Sequence, residues 1–189
     1  MEFVPCERVR DSFLRALADY HAEGRYRDLD PVQLANEFPA YLRAVAAKAD
    51  PDAPRPPGRV PETLLWYVNG SNYLGRISIR HRLTSQLRKI GGHIGYDVAP
   101  AERRRGHARR MLALALPFAH RLGIDPALVT CNVENMASRK VIERNGGVLA
   151  EQSVGVLRFW VPTAPASTRS RPGHGITLDD HAAKARGPR

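Results

Sequence analysis

Apolar positions along this chain change their period several times, and each change marks an element. Val9, Phe13, Leu14, Leu17 and Tyr20 recur at three-and-four spacing, which predicts an amphipathic helix over 7–23 with Gly24 as its stop. Asp30-Pro31 has the form of an N-cap followed by proline at the first helical position. It opens a second helix to about Lys48, bent or interrupted at Pro39. The stretch 50–61 carries prolines at 51, 54, 56, 57 and 61 and reads as a surface loop. Runs at 64–68 and 73–81, joined through Asn69-Gly70, predict a hairpin. Tyr73, Gly75, Ile77, Ile79 and His81 share one face of its second strand, and Arg76, Ser78 and Arg80 the other. A strand at 92–98 precedes a helix whose stripe is Ala108, Met111, Leu112, Ala115, Ala119 and Leu122, with a kink expected at Pro117. A strand at 127–131, a helix at 135–145 and strands near 147–152 and 154–161 complete the set. Two helices, a meander, then alternating strands and helices predict an α/β layered fold around a mixed sheet.

Composition narrows the class. The 189 residues suffice for one domain with a proper core, expected over 1–162, and the aperiodic Pro-, Ser-, Gly- and Arg-rich stretch 163–189 reads as a disordered basic tail. No run approaches the ~18 apolar residues of a membrane span, and the first residues lack a basic-then-apolar signal pattern. Cys6 and Cys131 are far apart and no Cys/His cluster has ligand spacing, so the expectation is a reduced cytoplasmic protein with no metal.

The net charge of +10 is concentrated. Residues 76–110 hold 10 Lys/Arg against 2 Asp/Glu, or +8, whereas residues 1–75 hold 9 against 11, or −2. That basic field surrounds Ile94-Gly-Tyr-Asp-Val-Ala-Pro-Ala-Glu-Arg-Arg-Arg-Gly-His-Ala108, a strand, an arginine-dense loop with one glycine, and a helix start. A helix start presents unpaired N–H groups and a positive dipole end, and Gly106 lets backbone approach a ligand closely. As bare chemistry the segment is a diphosphate cradle fed by a strand.

Arg103-x-x-Gly106-x-Ala108 also resembles the Arg/Gln-x-x-Gly-x-Gly/Ala signature of the GNAT superfamily of acyl-CoA-dependent N-acyltransferases. Thr130 to Gly147 resembles the strand, Asn-x-x-Ala/Ser helix and closing glycine that line the thioester in the same superfamily, and the likeness spans about residues 60 to 161. It implies a mixed, mostly antiparallel central sheet with splayed parallel strands, flanked by helices. It implies acetyl-CoA as co-substrate and a small-molecule amine as acceptor. The strand Tyr96-Asp97-Val98 would run beside the pantetheine. The loop from Arg103 through Arg104, Arg105, Gly106 and His107 to Ala108 would hold the phosphates. Asn135 and Ser138 would edge the cofactor arm, and Asn135 is equally a good helix cap.

The pattern departs at Ile142, where many members carry a tyrosine that protonates the leaving thiolate. Cys131 and Ser138 lie nearby in sequence. For a general base the candidates are His93, His81 and Asp97, with the role unassigned. Glu23, Asp28, Asp30 and Glu37 form an acidic N-terminal region suited to a cationic amine. Two rivals stand beside this reading. One is the same fold using aminoacyl-tRNA as donor, served by the basic field and tail. The other is a silent CoA-binding module, which the missing tyrosine permits. The oligomeric state stays open, with a homodimer among the options.

Overall fold

The computed structural model describes residues 2–3 and 5–165. Seven strands form one sheet in the order β1-β2-β3-β4-β5-β7-β6: β1 Glu2–Phe3, β2 Glu62–Asn69, β3 Asn72–Arg80, β4 Ile94–Val98, β5 Ala127–Asn132, β6 Val148–Ser153 and β7 Val156–Val161. Every neighbouring pair is antiparallel except β4 and β5. The mixed sheet follows from the pattern of elements, and its mostly antiparallel order with one parallel pair is what the resemblance implies.

The helices divide between the two faces. Before the hairpin come α1 (Arg10–Ala22), α2 (Pro31–Asn36) and α3 (Phe38–Ala47). Asp30 caps α2 by accepting from the Val32 N–H at 2.8 Å, and Pro39 interrupts the expected long helix so that α3 starts anew. Their apolar faces pack with Trp66, Val68 and Tyr73. Phe13 of α1 stacks on Trp66 with centroids 4.6 Å apart. On the opposite face lie α5 (His107–Arg121) and α6 (Met136–Glu143), with Met111, Leu112, Ala115, Ala119 and Ile142 buried against Ile77, Ile79, Ile94 and Val129.

Several local expectations change. The helix α5 continues through Pro117, which lies on its exposed side. A bulge between Tyr67 and Val68 moves Tyr73 off the face it was expected to share with Ile77: Tyr73 joins the α1–α3 core and Leu74 takes the α5 side. A short helix, α4 (Ser85–Lys89), has no apolar stripe, buries nothing and was not predicted. Thr163, where the tail was expected to begin, is buried. Its N–H and hydroxyl donate to Asp125 Oδ1 and its hydroxyl also reaches the Ile124 carbonyl. The tail from 166 onward lies outside the described residues.

Candidate active site

The parallel pair β4–β5 is joined at one register position, Ile94↔Val129, and then diverges. At the two ends of the β3–β4 ladder, Arg80 N–H donates to His93 O (2.7 Å) and Ala99 N–H to Leu74 O (3.0 Å). Backbone groups alternate along an antiparallel strand, so the odd-numbered residues of β4 face β3. The N–H groups of Tyr96 and Val98 therefore point toward β5, where no strand meets them. A cavity of about 280 Å³ occupies this gap, lined from the α6 side by Tyr96, Cys131, Asn135 and Ser138, and from the α1 side by Arg80, Gly91, Gly95 and Thr130. The sheet is thus perforated.

Just beyond β4 the chain makes a 3-10 turn over Pro100–Glu102 and enters α5. Gly106 stands at the N-cap with φ +80, and a Cβ there would meet nothing within 4 Å. The first helical bond is Arg110 N–H to Gly106 O, which leaves the His107, Ala108 and Arg109 N–H groups without intrahelical partners. This mouth fits a diphosphate. Its arginines are less available than their number suggests. Arg103 forms a bidentate pair with Glu23 at the end of α1 (2.6 and 2.7 Å), and Arg105 pairs with Glu102 (2.8 Å). His107 packs beside the Tyr67 ring at 5.7 Å. Arg104, in the left-handed region at φ +65, has no ion-pair partner among the described residues.

Across the gap, Asn135 caps α6 by accepting from Ser138 N–H at 3.0 Å. The Tyr96 hydroxyl lies 2.7 Å from Ser138 Oγ, bridging β4 to α6. Burial pushes the Tyr96 phenol up to about 12 and raises the Cys131 thiol, so both are held protonated near neutral pH. Ile142, at the position where a tyrosine was looked for, is fully buried with Gly147 pressed against it, and faces the core rather than the gap.

The base candidates separate. His81 Nε2 lies 2.9 Å from Thr63 Oγ1, and His93 Nδ1 accepts from Leu128 N–H at 2.9 Å. Both rings line a different cavity, of about 420 Å³, with Asp125 and Trp160. Neither histidine is among the residues that line the β4–β5 gap. Asp97 is on the α1 face, but its oxygens are taken by Arg25 (2.6 and 3.0 Å) and the Tyr26 hydroxyl (2.7 Å). Three of the four acidic N-terminal residues are likewise occupied. Glu23 holds Arg103, Asp30 caps α2, and Glu37 accepts from Gln33. Sequence reasoning missed Arg80, which lines the gap, and Arg76, which packs on Tyr26 beside Asp97. The alternation of β3 puts both on one face, which carries the signal, but nothing in it sets that face beside the gap.

A profile of the acetyltransferase (GNAT) domain matches residues 14–148, and the chain belongs to that family. Among solved structures, yncA from Salmonella typhimurium with its cofactor acetyl-CoA is 15% identical, with 92% of this chain and 98% of that one covered at a TM-score of 0.58. RimJ of Mycobacterium smegmatis in complex with CoA-disulfide is 18% identical over 84% and 79%, TM-score 0.57. A point mutant of the spermidine N-acetyltransferase SpeG of Vibrio cholerae is 15% identical over 86% and 95%, TM-score 0.55. At these identities the likeness is one of fold. No curated protein sequence matches. Among the described residues no helix is long and apolar enough to cross a membrane, and no group of three His, Cys, Asp or Glu side chains could hold a metal ion.

Proposed function

We propose that this chain transfers an acetyl group from acetyl-CoA to a primary amine of a small molecule. The observation that carries the reading is the single-register junction of β4 and β5, which leaves the Tyr96 and Val98 N–H groups open beside the unpaired N-terminus of α5. A thioester arm and a diphosphate need those two donor sets end to end.

In this reading the phosphates lie on the His107, Ala108 and Arg109 N–H groups with Arg104 alongside, and the arm follows Tyr96 to Val98. Backbone donors aimed at a developing oxyanion are worth ~3 kcal/mol each when removed. The amine arrives neutral through the α1-side opening. As the C–N bond forms, the C–S bond breaks, sulfur keeps the electron pair, and nitrogen gives up a proton to water in the groove. His81, His93 and Asp97 take no part in that loss. Tyr96 is the hydroxyl that replaces the missing tyrosine. With its phenol near 12 and an ordinary thiol near 8.5, full proton transfer to the thiolate would be uphill by about 5 kcal/mol. Tyr96 therefore stabilises the departing sulfur by a hydrogen bond, released from Ser138 for the purpose.

The test is acetyl-CoA titration by calorimetry at two salt concentrations, followed by thiol release with a panel of amines. Binding that weakens only modestly with salt, and release that depends on amine, are expected. Tight tRNA binding that falls steeply with salt, roughly 0.7–0.9 log units per phosphate contacted, together with no thiol release from any amine, would overturn the proposal.

A further inference from the structure

The α1-side mouth of the groove is lined by one cation and no carboxylate: Arg80, with Gly91, Gly95 and Thr130 around it. The other arginines of this face are engaged. Arg25 pairs with Asp97 and Arg76 lies 3.8 Å over the Tyr26 ring, while Arg158 donates through Nε to the Lys89 carbonyl and stands 3.1 Å from Glu151 through an Nη1 that makes no hydrogen bond. Arg80 is different. Its Nη1 donates to the Gly91 and Gly92 carbonyls at 3.0 Å each, and Nε and Nη2 have no hydrogen-bond partner among the described residues. Its ladder partner Glu62 makes no ion pair with it, although the two feel each other at longer range, and Arg59 opposes that attraction. Burial disfavours the charge, and two carbonyl dipoles do not neutralise it.

The guanidinium also lies where a ligand would meet it. A Cβ built on Gly95 would stand 3.6 Å from both Nη1 and Nη2, so the fork lies across the bare backbone of β4 at the floor of the gap. Thr130 Oγ1 faces the same space. It accepts from Gly91 N–H at 3.0 Å, which leaves its own hydroxyl hydrogen to donate. A half-buried fork with its Nε–Nη2 edge free and an adjacent hydroxyl is a receptor for a planar anion.

We infer that the acceptor amine carries a carboxylate, as amino acids do, and that Arg80 with Thr130 holds that carboxylate beside the acetyl group. This rests on the acetyltransferase reading. It reverses the cationic acceptor that the acidic N-terminal sequence suggested, because three of those four acids are engaged with other partners and none lines this mouth.

The full chain is assayed for thiol release from acetyl-CoA with paired acceptors, each amino acid beside the amine left by removing its carboxyl group. The carboxylated member of each pair should show a kcat/KM higher by about 10- to 100-fold, the range of one charge-assisted contact. Arg80→Gln should lower kcat/KM for the carboxylated member of each pair by about 10- to 100-fold relative to its plain amine, and so erase the preference, and Arg80→Lys should restore part of it. Should Arg80→Gln fail to fold, the wild-type preference alone still decides. Equal or better turnover of the plain amines, or preference for phosphoethanolamine over every amino acid, overturns this inference and leaves acetyl transfer standing. Bound acetyl-CoA with no release from any acceptor removes both.

Discussion

Gly106→Val tests whether the cradle at the start of α5 is a binding site or a plain helix cap. At φ +80 the left-handed conformation is strained for a residue with a side chain, by about 2 kcal/mol for a branched one. For a chain of this size that lowers Tm by roughly 4–8 °C. Nothing lies within 4 Å of the new Cβ, so no clash adds to the loss and the fold persists. The same helix supplies its own control. Gly123, just past the far end of α5, has φ +74 and the same empty surroundings. The two glycines are separated by about 25 Å of helix. Gly123→Val should therefore cost the same stability. Only the Gly106 side chain enters the space in front of the His107, Ala108 and Arg109 N–H groups. Each donor lost to a charged oxygen is worth about 1.5–3 kcal/mol, so acetyl-CoA affinity should fall at least about 10-fold and approach loss of binding if all three are displaced. Thermal melts and calorimetry on both variants separate strain from site. Equal affinity in the two would show that the phosphates bind elsewhere.

Tyr96→Phe removes the bridge to Ser138 and the donor to the leaving sulfur; it should lower kcat by about 10-fold with KM for acetyl-CoA little changed, and unchanged kcat would return the thiolate to water alone. Ile142→Val should cost about 0.5–1.5 kcal/mol of stability and leave turnover near wild type, whereas Ile142→Tyr should destabilise by about 1–3 kcal/mol because Gly147 already presses on the side chain; guanidinium melts and thiol release check both. His93 is held below its ordinary pKa by burial and by Arg88 and Arg80. The unfolded chain thus takes up a proton near pH ~6.5 that the folded one refuses, so its contribution to stability is present above that pH and is lost as pH falls toward the folded value. Melts from about pH 7.5 to 5 should decline more steeply for wild type than for His93→Asn, which keeps an acceptor for Leu128 N–H, and parallel curves would exclude this origin. Truncation after residue 165, which keeps the Thr163 anchor, should leave acetyl-CoA affinity intact by calorimetry; a large loss would place the tail in the site.

Sequence periodicity located the helices and strands because their apolar faces are built into the spacing of residues such as Phe13, Leu17 and Tyr20. It could not see the bulge at Tyr67/Val68, whose register depends on how two strands meet, and so Tyr73 was set on the wrong face. The cradle was legible for a related reason: Gly106 before an amphipathic helix is a local signal. The fates of Arg103, Asp97 and His93 were not. Glu23 lies 80 residues from Arg103, Arg25 lies 72 from Asp97, and Leu128 lies 35 from His93. Charge counting along the chain registers such residues as available. Only folding shows that they are already paired, and that Arg80, read in the sequence only as one residue of a strand face, lines the gap without an ion-pair partner.

The atoms proposed to recognise the phosphates and the thioester arm are almost all main-chain N–H groups, and main chain is what all proteins have in common. A groove written in backbone asks little of the alphabet: a glycine where the chain turns left-handed, two strands that part company, a helix that starts on time. Most positions around it are then free to drift. That is how a fold can be held in register with yncA while only 15% of the residues still agree, and why the few side chains that project into the gap are where one such protein would come to differ from another in what it accepts.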